Sequence, residues 1–475
     1  MQHIRLGAHT FLRPDKTNQH GLIAGATGTG KTVTLKVLCE QFSALGVSTV
    51  VADVKGDLAN LCRPGTMNDH ILQRLDEIGI ADFSFRGFPV TLWDVYGAEG
   101  LPLRVTVSEM GPLLLSRLLE LNDTQDGALR IAFKIADAEG LLLLDAKDLR
   151  SLLTHIGEHA KDYSLTYGRI APQTLAALQR KLLLLEDGSH TSFFGEPSLR
   201  IADLLRTDES GDGVINVINS KQLLQQPMLY AMFLLWLLSE LFDMLPEVGN
   251  PDKPKLVFFF DEAHLLFTAD MPAAIRTRIE QVVRLIRSKG VGVFFITQNP
   301  LDIPDTVLNQ LANRIIHQLR AYSPRERKTL RAVADTFRAN PALDVEAELT
   351  ALRTGEALIS LLDESGSPLP VEKVLIPPPA SSFTPLTDEE YRRIVLDSPL
   401  YDAYHDAVDR YSAYEALAEQ AKQAAASPAD EPPARRGRPS KTYVEKGIDS
   451  MVTTITRTIG REIARGILGT FLRKR

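Results

Sequence analysis

The run Gly25-Ala26-Thr27-Gly28-Thr29-Gly30-Lys31-Thr32 constrains this chain more than any other stretch. It fills every fixed position of G-x-x-x-x-G-K-[ST], a loop that needs a strand before it and a helix after it. Glycines let the backbone curl until successive N–H groups converge on one anion at the positive end of the next helix. Lys31 supplies a mobile charge for the β- and γ-phosphates, and the Thr32 hydroxyl is placed to ligate Mg²⁺. Residues 20–24 read as the buried strand and 33–45 as the helix. Gly25, Ala26, Thr27, Gly28, Thr29, Gly30, Lys31 and Thr32, together with Thr34, form the expected nucleotide-binding set.

A second constellation completes the chemistry. Residues 255–260 are a continuous apolar strand ending in Asp261-Glu262. Side chains alternate in direction along a strand, so one acid can face a metal ion and the other the attacking water. Asp261 is assigned to Mg²⁺ and Glu262 to the water. A switch GTPase or small-molecule kinase does not need the second acid, so Glu262 points to ATP hydrolysis coupled to work. Gln298 ends the next strand, at 291–296, where a neutral amide reaches the γ-phosphate or its water.

Strand-like runs at 48–53, 82–85, 90–95, 214–219, 314–319 and 356–362 alternate with helical patterns, which means a mostly parallel α/β sheet. Leu-rich helical spacing at 111–121, 127–138, 146–159 and 172–186 interrupts that alternation. The expected division is an ATPase core over 1–104 and 206–376, a helical insertion over 105–205, a helical extension and linker over 377–434, and a basic tail over 435–475. Pro377-Pro378-Pro379 reads as the end of the globular body, and the acids after Thr387 as a helix start. Packing against the body is the expected role of Tyr401, Tyr404, Tyr411 and Tyr414.

Of the 475 residues, 44% are hydrophobic and 24% charged, enough for two or three domains. Two cysteines, Cys39 and Cys62, suit a reducing compartment rather than a disulfide framework. No leader is visible, and the apolar run 228–238 is shorter than the roughly 20 residues that span a bilayer. A soluble, cytoplasmic protein without a transmembrane segment is expected. Charge is uneven: residues 435–475 carry eleven Lys/Arg against three acids, +8, leaving −15 on the rest to make the overall −7. A basic tail on an acidic body implies an anionic partner of its own.

These motifs in this order resemble the HerA/FtsK class of P-loop motor ATPases, most closely the HerA-helicase-like branch. The resemblance rests on Gly25–Thr32, Asp53-Val-Lys-Gly56, Phe258-Phe-Phe-Asp-Glu-Ala-His264, Ile296-Thr-Gln-Asn-Pro300 and Asn313-Arg-Ile315, and covers residues 3–376. It implies a RecA-like core, a homo-oligomeric and usually hexameric ring, and ATP-driven movement of duplex DNA. It also implies an arginine reaching into the neighbouring subunit's site. Arg284, Arg287, Arg314 and Arg320 are candidates, and Arg314 stands in the motif position. Members of the family usually carry a β-barrel before the core, whereas about 20 residues precede the loop here. A protein partner, engaged through the helical insertion or the C-terminal tail, is the other expectation; an ATPase that remodels protein or membrane-associated complexes is the alternative function.

Weaker patterns remain. His155-Ile-Gly-Glu-His159 puts two histidines on one helix face, as zinc would require, but without a third ligand a solvated face is the preferred reading. Arg435-Arg-Gly-Arg-Pro-Ser-Lys441 resembles an AT-hook or is a solvated linker. From Ile448 to Phe471 apolar residues recur at helical spacing beside Arg457, Arg461 and Arg465. That basic amphipathic helix suits a partner, self-association or an anionic membrane surface.

Overall fold

The fold is a computed structural model that describes residues 3–186, 193–223, 226–268 and 271–426. A small hairpin, β1 (Ile4–Arg5) and β2 (Phe11–Leu12), precedes the main sheet. The sheet's strands are β3 (Gly21–Ala24), β4 (Ser48–Asp53), β5 (Val90–Asp94), β6 (Leu101–Pro102), β7 (Ile215–Asn219), β8 (Leu256–Phe260), β9 (Val291–Thr297), β10 (Asn313–His317), β11 (Glu356–Ser360) and β12 (Glu372–Leu375). Their spatial order is β12-β11-β10-β3-β9-β8-β4-β7-β5-β6. Pairing is parallel from β10 to β6, and β11 and β12 close one side antiparallel. A mostly parallel α/β sheet of the expected class results. Residues 82–85, expected as a strand, run irregularly and join no ladder; Asp82 and Ser84 interrupt the two phenylalanines there.

Parallel strands buried on both faces read as unbroken apolar runs, and β8 shows why. Phe258 and Phe260 pack with one face of the core and Val257 and Phe259 with the other, all of them at 0% exposure. Truncating any of the three phenylalanines costs about 3–5 kcal/mol.

The helices are α1 (Lys31–Ala44), α2 (Asp69–Ile78), α3 (Val107–Leu118), α4 (Asp123–Glu139), α5 (Ala146–Glu158), α6 (Ala160–Tyr167), α7 (Pro172–Glu186), α8 (Pro227–Met244), α9 (Ala273–Ile286), α10 (Asp305–Leu308), α11 (Pro324–Ala334), α12 (Val345–Ala351), α13 (Asp388–Leu396), α14 (Tyr401–Tyr404) and α15 (Ala413–Ala426). Leu35, Leu38 and Phe42 of α1 pack on the Phe259 face; α8 and α9 cover the Phe258 face. Chain order places five consecutive helices, α3 to α7, between β6 and β7. Capping boxes start α3 (Thr106 with Glu109), α4 (Asn122 with Gln125) and α5 (Asp145 with Asp148). Inside α3 the backbone breaks at Gly111, which precedes Pro112, because a residue before proline avoids helical dihedrals.

The body does not end at Pro377. Residues 377–379 are buried, and the next turn straps α1. Lys36 Nζ donates to Asn60 Oδ1 at 2.6 Å and to the Ser382 carbonyl, while Glu40 accepts from the amides of Ala380 (2.7 Å) and Ser381 (3.0 Å). Burial pushes the Lys36 ammonium down to about 8 and the Glu40 carboxyl up. Farther on, Tyr404 crosses Trp93 edge to face at 5.0 Å and donates to Asp203 at 2.6 Å. The four tyrosines therefore divide: Tyr404 is core and Tyr401 stacks on His405, whereas Tyr411 and Tyr414 are half exposed. The AT-hook-like segment and the amphipathic stretch lie outside the described residues.

Candidate nucleotide site

The Gly25–Thr32 loop leaves β3 at the carboxyl rim of the sheet and turns into α1. Gly25, Gly28 and Gly30 take φ of 153°, 81° and 118°, and a Cβ on Gly25 would stand 2.6 Å from that of His317. The loop's outer edge is tied down on both sides: Gly25 N donates to Thr297 O at 3.3 Å and Ala26 N to Gln318 O at 2.8 Å, while Thr29 O accepts from Gly355 N at 2.9 Å. The amides of Gly28, Gly30, Lys31 and Thr32 have no protein acceptor among the described residues. Four convergent donors at a helix start are an anion nest.

Lys31 is curled back, with Nζ donating to the carbonyls of Gly25 (2.6 Å) and Ala26 (3.1 Å). Burial lowers its pKa, and so does Lys55; Glu262 and Asp261 oppose the shift. Thr32 sits half-buried on the first turn of α1. Thr34 does not share that surface. Its side chain points into the core at 0% exposure and hydrogen-bonds His317 Nε2 at 2.9 Å. His317 Nδ1 lies 2.8 Å from the Glu356 carbonyl, so the neutral ring donates there and accepts from Thr34. Two residues beyond Thr32, the helix has turned too far for both hydroxyls to face the same ligand.

The strand order sets the rest. β9 lies between β3 and β8, so Gln298 stands between the loop and the acids. Its Oε1 accepts from Thr27 Oγ1 at 3.4 Å and its Nε2 donates to Glu262 Oε1 at 3.4 Å, linking the two halves of the site. Asp261 is 6% and Glu262 8% exposed. Asp261 Oδ1 accepts from the Glu262 amide at 3.0 Å; burial raises its pKa and Lys55 opposes that. Glu262 has φ 50° and ψ 46°, a left-handed conformation that costs a non-glycine residue about 1–3 kcal/mol. His264 Nδ1 stands 3.4 Å from Glu262 Oε2, an ion-pair distance without hydrogen-bond alignment, since neither atom has a hydrogen-bond partner. His264 is the first cause holding the Glu262 carboxyl down to about 2, against burial and with Lys55 and Gln298 assisting.

Two participants had no role in the sequence reading. Lys55 Nζ reaches to 3.7 Å from Asp261 and 3.6 Å from Glu262, and His264 flanks the same carboxylate. Both lie inside the quoted runs Asp53-Val-Lys-Gly56 and Asp-Glu-Ala-His264. Only the pairing of β4 beside β8 shows that the first run meets the second.

The Arg314 guanidinium donates to the carbonyls of Leu311, Thr336 and Leu308 in its own chain and closes the turn after α10. Arg320, three residues past β10 on the loop's rim, is exposed and has no partner among the described residues. Arg284 and Arg287 end α9, at the opposite rim where β9 begins. The histidine pair is also structural: His155 and His159 stack at 4.2 Å, and Tyr163 OH bridges His155 (3.1 Å) and Glu139 (2.6 Å). No cluster suited to a metal ion by His, Cys, Asp and Glu alone occurs among the described residues. A cleft of about 930 Å³ farther along the rim, walled by Asp57, Tyr96, Arg104 and Tyr391, contains none of the nucleotide-site residues.

The chain is similar to known proteins in sequence and in fold. The chain is 23% identical over 366 residues to the DNA double-strand break repair helicase HerA of Saccharolobus solfataricus, covering 75% of this chain and 63% of that protein. The HerA of Sulfolobus acidocaldarius is 21% identical over 361 residues, 73% of this chain and 63% of its own length. The matches thus span less than two thirds of those relatives. The plasmid coupling protein TrwB, solved with a non-hydrolysable ATP analogue, superposes with a TM-score of 0.54 at 15% identity, over 82% of this chain and 92% of its own; at that identity the likeness is one of fold. The family described as "Helicase HerA-like C-terminal" matches residues 2–449, well past the expected limit at 376 and through the strap and extension. The chain belongs to the HerA-like helicase C-terminal family.

Proposed function

We propose that this chain is a Mg²⁺-dependent ATPase whose hydrolysis drives a homo-oligomeric ring of six subunits along duplex DNA. The observation that carries the reading is the continuous link from Thr27 through Gln298 to Glu262 beside a free anion nest. A phosphate-binding loop alone serves many reactions; one wired to an under-bonded, strained glutamate serves hydrolysis. The similarity to the DNA double-strand break repair helicases supports DNA as substrate.

The donor set fits the nucleotide and its metal. The free amides of Gly28, Gly30, Lys31 and Thr32 would bind phosphate oxygens, and Thr32 with Asp261 would hold Mg²⁺, which supplies charge neutralisation on the leaving phosphates. Lys31 exchanges the Gly25 and Ala26 carbonyls for phosphate. Glu262 orients water through Oε2, which faces His264 but has no hydrogen-bond partner, and at a pKa near 2 it acts chiefly as a fixed acceptor for the water's proton. Gln298 shifts with Glu262 and passes the change to Thr27 in the loop. Arg320, exposed at this rim, replaces Arg314 as the arginine offered to a neighbour's site.

A cytoplasmic setting is part of the reading: both cysteines are free thiols, and no described helix is long and apolar enough to cross a membrane. ATP turnover with and without duplex DNA, alongside mass in solution, tests the proposal. A DNA-stimulated rate in a hexamer supports it. A hexamer whose turnover ignores DNA favours the alternative, remodelling of protein or membrane-associated complexes.

A further inference from the structure

The Asp53-Val54-Lys55-Gly56 turn delivers a cation to the acidic pair from the strand beside theirs. β4 and β8 run parallel with Ala52 opposite Phe260, so the residues after each strand emerge side by side. Asp53 shapes the turn: Oδ1 accepts from the amides of Lys55 (3.2 Å) and Gly56 (2.7 Å), and Oδ2 from Leu58 (3.0 Å). Gly56 has φ 72°, and a Cβ there would meet Lys221 Cε at 1.8 Å. The backbone on either side of Lys55 is therefore fixed, while its side chain remains 40% exposed and able to swing.

Its ammonium stands 3.7 Å from Asp261 Oδ2 and 3.6 Å from Glu262 Oε1. Those distances exceed the roughly 2.7–2.9 Å of a charge-assisted hydrogen bond. Lys55 is a shared counter-ion rather than a locked partner. Two adjacent buried carboxylates need such a charge, and Glu262 Oε2 still lacks a hydrogen bond. A divalent cation held by Asp261 would take up the carboxylate that Lys55 faces and repel the ammonium.

We propose that Lys55 holds the Asp261–Glu262 pair in the nucleotide-free protein and competes with the divalent cation for Asp261. Metal then binds well only together with a polyphosphate, whose negative charge gives the displaced ammonium another partner. Lys55 is a positioning residue that couples metal binding to nucleotide binding. The inference rests on the proposed reading in which Asp261 is the metal-side carboxylate and Glu262 stands beside it.

The test is Mn²⁺ binding to the full-length, nucleotide-free protein, read by the loss of the free-ion paramagnetic resonance signal. Lys55→Met should tighten Mn²⁺ at least about tenfold and reduce by a similar factor the enhancement that ATP gives, since linkage is reciprocal. Lys55→Arg should keep the weak wild-type affinity. Lys55→Gln is the second neutral variant should the methionine form fail to fold, as judged by melting and by metal-free nucleotide binding. Unchanged Mn²⁺ affinity in a folded neutral variant, with Asp261→Asn still lowering it, overturns the competition alone. Mn²⁺ binding that ignores Asp261→Asn in the Lys55→Met background overturns the metal assignment, and the proposal with it.

Discussion

Two sets of carboxylates stand on one rim of the sheet, and their surroundings treat them oppositely. Asp53 and Asp94, each 2% exposed, end β4 and β5 and accept three backbone amides apiece: Lys55, Gly56 and Leu58 for the first, Tyr96, Ala98 and Glu99 for the second. Asp261 and Glu262, nearly as buried, follow β8 and share one backbone amide, one long amide contact from Gln298, and ion-pair contacts of 3.4 Å to His264 and beyond 3.5 Å to Lys55. The saturated acids build loops. The under-bonded ones are left with capacity for a metal ion and a water, at a cost of about 1–3 kcal/mol per unsatisfied group. Strand-end position is common to both sets; hydrogen-bond saturation separates architecture from chemistry.

The largest effect expected from that contrast is on ligand binding. Lys31→Ala removes the charge that leaves the Gly25 and Ala26 carbonyls for phosphate, and nucleotide affinity should fall at least about a hundredfold with little change in stability. Fluorescent-nucleotide titration and a melting curve check both halves. Next come the acids themselves. Asp94→Ala leaves three part-buried amides without their acceptor and should cost about 1–3 kcal/mol of stability, whereas Asp261→Asn relieves like-charge repulsion and desolvation and should be neutral or stabilising by about 1 kcal/mol. Equal losses in urea denaturation of the two variants would erase the distinction.

A smaller effect follows from the imidazoles packed against the loop and its strand. Burial holds His317 and His20 down to about 4, from an ordinary 6.5. The folded state rejects protons that the unfolded chain accepts, so their contribution is complete above pH 6.5 and is lost as pH falls toward 4. Melting temperature should drop across that window with a slope of up to about two protons, and His20→Gln should flatten it. The smallest change is expected where the sequence offered a metal pattern: His155→Phe should cost about 1 kcal/mol, and neither zinc nor a chelator should alter the melting temperature.

How much of this was legible depends on the range of each interaction. The loop, the acids and Gln298 were readable because their chemistry lies in consecutive residues at strand ends, and β3, β8 and β9 are apolar on both faces. Lys55 carried no such signal, since its partners are more than 200 positions away and depend on β4 pairing with β8. The surroundings of Arg314 were hidden for a related reason: a motif position says nothing of the three carbonyls that surround it. Thr34 matched by composition, but helical rotation turned it inward to His317. The proline run suggested an end to the body, while the Lys36 and Glu40 bonds that carry the chain onward over α1 join residues more than 300 apart.

The most direct test of the central claim separates binding from cleavage in Glu262→Gln. Nucleotide affinity, measured by titration, should stay within a few-fold of wild type, because the loop amides and Lys31 are untouched. Single-turnover ATP cleavage should slow by at least about a thousandfold, the amide having lost the charge that fixes the water. Cleavage near the wild-type rate with ATP bound would contradict the account and move the water-orienting group away from the end of β8.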